Sequence, residues 1–165
     1  MNDLMSFPDQ TRVWIYAANK IIPPTQAEKI HEAVYDFAKH WSSHHQAVEA
    51  TGGFMHGVFI VLMVNEQINK PGGCSIDGSV QFIRKLGQQF DVDFLDRQIL
   101  YYIMDNQVHV LPLSQLNEAY QSGKINSETL FFDTLVQDKA SFQKAWLKPL
   151  KDAWQRRLLE GEVGI

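Results

Sequence analysis

Between Thr25 and Trp41 the apolar residues fall at Ile30, Ala33, Val34, Phe37, Ala38 and Trp41. That spacing of three and four marks one face of a helix. Glu28, Lys29, Glu32, Asp36 and Lys39 decorate the other sides. Pro23 and Pro24 stop whatever precedes, and Thr25 is placed to cap the helix. Upstream, RVWIYAAN (Arg12 to Asn19) is rich in β-branched and aromatic residues and reads as a mostly buried strand. Gln46 to Thr51 predicts a short edge strand, with Gly52 and Gly53 permitting a turn. GVFIVLMVN (Gly57 to Asn65) is the most apolar stretch and predicts a central strand buried on both faces. Ile76, Val80, Ile83, Leu86 and Phe90 mark a second amphipathic helix.

The pattern then changes. RQILYYIMDNQVHVLPL predicts a hairpin: Ile99 to Met104, a turn at Asp105-Asn106, then Val108 to Leu111. Ser114 is placed to cap a short helix with Leu116, Ala119 and Tyr120 inward, ended by Gly123. TLFF follows as a strand. A last helical pattern uses Phe142, Trp146, Leu150, Trp154 and Leu158, with Pro149 kinking or splitting it. The expected class is α+β. Residues 1–96 form a β-α-β-β-α half, a split β-α-β whose first and third strands pair in parallel at the centre. Residues 97–165 form a ββαβ unit and a C-terminal helix, packed with the first half as one globule.

Composition narrows the function classes. Hydrophobic residues are 45%, charged residues 21% and aromatics 12%, which suits a soluble domain with a sizeable core. A net charge of −4 argues against a general nucleic-acid binder, which needs a basic face. The single cysteine makes no internal disulfide. MNDLMSFPDQ has neither a basic n-region nor an apolar h-region, so no signal peptide is expected. The longest apolar run, Val58 to Val64, is far too short to span a membrane. A cytoplasmic protein is the expectation.

Two resemblances attach to quoted residues. YYIMDNQVHVLPLSQLNEAYQSGKINSETLFF is similar to the GYF-like domains of bacterial proteins, through Tyr101, Tyr102, Leu113, Leu116, Gly123, Ile125, Thr129, Leu130 and Phe132. It departs from them in having Leu111-Pro112 for the usual Gly-Pro, and Phe132 for the usual tryptophan. The resemblance implies a ββαβ topology and, in some members, a groove for proline-rich segments. RVWIYAAN, GCSIDGSVQFI and INSETLFFDTLVQ also resemble an uncharacterised bacterial family whose members often carry the label "ABC transporter ATPase". The residues reject that activity. A P-loop needs G-x-x-x-x-G-K-[ST], so that backbone amides wrap the phosphates and lysine meets their charge. The only Gly-Lys, Gly123-Lys124, is followed by Ile125, and Glu118 stands where the first glycine belongs.

Candidate chemistry concentrates in NKPGGCSIDGSV (Asn69 to Val80). A thiol at a helix start gains thiolate character from the dipole and free amides, so Cys74 with Asp77 is the candidate catalytic pair. Gly72, Gly73 and Ser75 would form the accompanying small-anion turn. The structural alternative, which we prefer, buries Cys74 as a small hydrophobe and uses Ser75 or Asp77 as the N-cap. His40 and His44 have the i, i+4 spacing of metal ligands, with Glu49 or His56 as remote third partners. Their alternative role is to meet a helix C-terminus, and no metal or other cofactor is expected. Tyr101, Tyr102, Phe131, Phe132, Trp146 and Trp154 would line a peptide groove, with Tyr101 and Phe132 as ligand-binding candidates; the preferred reading is core. The expected function is a binding or scaffold protein without its own catalysis and with a protein or peptide partner. The alternatives are a thiol-dependent enzyme and a small-anion binder.

Overall fold

A computed structural model describes residues 6–43, 46–47, 49–67 and 73–159, with the backbone alone at 42–43, 46–47 and 73–75. The chain opens with strand β1 (Arg12–Ala17) and helix α1 (Pro24–Lys39). Pro24, not Thr25, begins the helix, and Pro23 occupies the cap position without a side-chain bond. A proline at the first helical position has its φ preset and needs no amide there. At the other end, the His40 ring donates from Nδ1 to the Asp36 carbonyl at 2.9 Å, a second donor beside the His40 amide at 3.2 Å.

Short strands β2 (Ser42–Ser43) and β3 (Gln46–Ala47) pair antiparallel, so the expected strand at 46–51 is divided. Strand β4 runs from Ala50 to Met55 and β5 from Phe59 to Val64. Gly52 and Gly53 are therefore inside a strand; the turn lies at 56–58, with His56 at φ 57° and Gly57 at φ 70°. Gly52 serves close packing instead. A Cβ added there would stand 2.8 Å from Leu62 Cδ2 and 3.1 Å from Val34 Cγ1, so its absence lets α1 lie against the strand.

The first sheet has the order β1-β5-β4. β5 is its centre and is buried along its whole length. The expected parallel pairing of the first and third apolar strands is corrected, for β1 and β5 run antiparallel, Arg12 opposite Val64 and Ala17 opposite Phe59. The reason is the path of the chain. β4 is also antiparallel to β5, so α1 carries the chain back to run β4 in the direction of β1, and the hairpin inserts β5 between them.

Each flanking strand is met at one place on its outer edge. The Phe54 amide donates to His31 Nδ1 at 3.0 Å beside β4. Beside β1, the Val13 amide donates to the Gln137 carbonyl at 2.9 Å, and Lys139 to Thr11 at 2.9 Å. These partners occupy groups on which another strand would pair.

Helix α2 (Gly73–Phe90) buries Ser79, Ile83, Leu86 and Gly87. Asp91 at φ 56° follows, and the Val92 amide returns to the Gly87 carbonyl at 2.8 Å. The second sheet has the order β7-β6-β8-β9. It begins with the hairpin β6 (Ile99–Met104) and β7 (Gln107–Pro112), turned by Asp105 and Asn106 at φ 53° and 60°. A 3-10 turn at Leu113–Gln115 contains Ser114 and leads into α3 (Leu116–Gln121), so Ser114 is inside the turn and caps nothing. Gly123 at φ 81° then releases the chain towards β8 (Leu130–Phe132), antiparallel to β6.

The expected terminal helix does not form. The segment becomes α4 (Lys139–Ala145), strand β9 (Leu147–Pro149) and 3-10 turns at Leu150–Asp152 and Trp154–Leu158. Pro149 cannot donate within a helix but is tolerated at the margin of a sheet, and β9 is the last strand beside β8.

Alternation divides the second sheet's side chains between two cores. Tyr101 and Phe132 join the larger core of the first sheet; Leu100, Tyr102, Leu111 and Phe131 join a smaller one with Leu116, Ile125, Leu150 and Leu159. The larger core joins the two halves. Phe59 of β5 lies 4.7 Å from Phe132, 5.2 Å from Tyr101 and 5.1 Å from Trp146, ring centre to ring centre.

Candidate functional site

The turn around Cys74 falls largely outside the described residues, as does Gly72. Gly73, Cys74 and Ser75 form the first three positions of α2, described by backbone only. Asp77 is the fifth residue of the helix and is exposed. A helix that starts at Gly73 has no use for an N-cap at Ser75 or Asp77, which corrects that assignment. His44 also lies outside the described residues, and His40 is engaged with the end of α1. Among the described residues no three His, Cys, Asp or Glu side chains gather as a metal site.

Tyr101 and Phe132 are interior residues, 3% and 0% exposed. The Tyr101 hydroxyl donates to the Ala18 carbonyl at 2.8 Å, tying β6 to the end of β1. Burial, then the carboxylates of Asp96 and Asp93, push its pKa far above the usual phenol value. Both side chains brace the junction of the halves. His56 covers that cluster from outside, 5.4 Å from Phe132 and 5.6 Å from Trp146. Partial burial lowers its pKa from the ordinary 6.5, because the charged imidazolium is poorly solvated there.

The face of the second sheet that carries Tyr101 and Phe132 continues past the core. Leu130 stands opposite Pro149, and Leu147 opposite Phe132. Alternation puts all four on one face, with Leu130 and Leu147 as diagonal neighbours on adjacent strands. Each is 38% exposed, and Leu135, just beyond β8, is 59% exposed. Comparison of the chain with family models, with curated proteins and with solved structures gives no match.

Two clefts also open among the described residues. One, of about 390 Å³, lies at the end of α2 among Asn19, Arg84, Gln88, Asp91, Asp93 and Leu95. Its polar groups chiefly hold the loop: Asn19 Oδ1 accepts from the Asp93 amide at 3.1 Å, and Asp93 Oδ1 from the Leu95 amide at 2.8 Å. The other, of about 220 Å³, adjoins the smaller core and brings together Tyr120, Ser127, Lys151 and Arg156 over Leu150 and Leu159. Sequence reading gave these four polar residues no site role, and took Tyr120 only as an inward helix residue. They are spread from position 120 to 156 and share no motif spacing.

Proposed function

We propose that this chain is a cytoplasmic binding or scaffold protein without its own catalysis, which holds an extended apolar or proline-rich segment of a partner protein on its ββαβ unit. The observation that carries the reading is the exposed pair Leu130 and Leu147 on one face of β8 and β9. Leucines beside each other at the margin of a sheet offer a partner apolar area that water otherwise covers. The resemblance of residues 101–132 to GYF-like domains supports the same unit as the binding part. The net charge of −4 favours a protein partner over nucleic acid.

The test places a photo-crosslinking side chain at position 147, or at exposed Gln121 as control, in cells producing the full chain. A discrete adduct from position 147, lost on Leu130→Glu and absent from position 121, is expected. Equal labelling from both positions, or an adduct indifferent to Leu130→Glu, refutes the reading.

A further inference from the structure

Among the described residues, the cleft beside the smaller core is lined by hydrogen-bond donors and no carboxylate. Its polar side chains are the Tyr120 phenol, the Ser127 hydroxyl, the Lys151 ammonium and the Arg156 guanidinium. Lys151 is engaged, donating to Glu128 Oε1 at 2.8 Å, which holds its pKa above the usual lysine value. For Tyr120, Ser127 and Arg156 the side chains have no partner among the described residues. A phenol, a hydroxyl and a guanidinium lining one cleft supply donors that suit an oxygen-bearing ligand.

The frame around them is fixed. The Lys151 amide donates to the Ser127 carbonyl at 3.0 Å and the Leu150 amide to Thr129 at 2.8 Å, so the two sides of the cleft are bonded together. Leu150 and Leu159, 1% and 3% exposed, supply an apolar floor. Arginine's planar fork matches the two oxygens of a carboxylate or phosphate, and the hydroxyls add single donors.

We propose that this cleft binds a small organic anion, a carboxylate or phosphate monoester on a compact apolar body, with Arg156 as the principal contact. The anionic group meets Arg156, Ser127 and Tyr120, and the apolar body rests on Leu150 and Leu159. The space is smaller than a drug-sized pocket, which limits the ligand to about one ring. This site is separate from the exposed leucines and does not depend on the partner reading.

The test is a titration of the full ¹⁵N-labelled chain with phenyl phosphate, benzoate and neutral benzyl alcohol, followed by amide chemical shifts. Saturable shifts at Ser127, Lys151 and Arg156 with at least one anion, and none with the alcohol, are expected. Phosphate against carboxylate preference tells the two sources apart. Arg156→Gln weakens binding about tenfold or more, the size of one charge-assisted contact. It leaves the melting midpoint unchanged because the side chain is exposed. Arg157→Gln, at the neighbouring exposed position outside the cleft, leaves affinity within about twofold and controls for net charge. No saturation by tens of millimolar, equal response to the neutral alcohol, or equal effects of the two arginine variants overturns the proposal.

Discussion

Replacing Gly87 by alanine sets helix propensity against packing. In a helix interior alanine is favoured over glycine by about 0.8–1 kcal/mol, so propensity alone predicts a stabler protein. The structure predicts the reverse. A Cβ at Gly87 would stand 2.4 Å from the Val92 carbonyl oxygen, about 1 Å inside the 3.4 Å at which ordinary contact begins. That oxygen cannot swing away freely, because the Val92 amide is bonded to the Gly87 carbonyl at 2.8 Å and Val92 and Phe94 are buried. Forcing an extra carbon into a packed site costs about 1–3 kcal/mol, and straining the helix-ending bond adds to it. After the propensity gain the net loss is about 2 kcal/mol, or roughly 4–8 °C of melting temperature for a chain this size. Gly78→Ala is the matched control: same helix, exposed, with nothing within 4 Å of the added carbon. It should gain about 0.5–1 kcal/mol. Urea melts followed by circular dichroism give both values, with unchanged slopes showing that the unfolded state is the same. A Gly87→Ala protein as stable as wild type refutes the close approach of the 91–95 loop to α2.

Two further outcomes rest on named bonds and a third on the partial burial of a ring. Tyr101→Phe leaves the buried Ala18 carbonyl without its donor and should cost about 1–3 kcal/mol in the same melts. Asp138→Ala removes the side-chain cap on the Ser141 amide at 2.7 Å and should cost about 0.5–2 kcal/mol, whereas Asp138→Ser should cost little. His56 has a depressed pKa, so the unfolded chain takes its proton first as pH falls. Its contribution is present above 6.5 and is lost progressively from that value down through the lower folded pKa, so the urea midpoint should decline on acidification. His56→Asn, which also accepts a positive φ, should flatten that decline; an unchanged slope counts against a partly desolvated imidazole.

What could be read from the sequence is what local chemistry decides. The 3.6 period of α1, the apolar run of β5, and the turns at Asp105-Asn106 and Gly123 each depend on neighbours in the chain. The direction of β1 against β5 does not, because it follows from where α1 sets the chain down. The repeat at Phe142, Trp146, Leu150, Trp154 and Leu158 has helical spacing, yet pairing with β8 decides the fate of Leu147–Pro149. Tyr101 and Phe132 were ambiguous for a different reason. Both faces of the second sheet are covered by a core, so alternation tells which residues share a side but not which side is free. The donor cleft left no trace in the pattern, because its residues come together only when the chain after β9 folds back beside α3.

The pairing of Val13 with Gln137 has a bearing on synthesis. The outer edge of β1 is made near the start of the chain, but the segment that closes it is translated 124 residues later. At ~5–20 residues per second that edge waits about 6–25 s on the ribosome, and longer until Gln137 clears the exit tunnel. An open strand is a template for any neighbouring chain, and adjacent ribosomes on one message display the same strand together. Ribosome spacing and chaperone access during that interval therefore bear on the yield of folded protein, even though the finished sheet has the start of that edge covered.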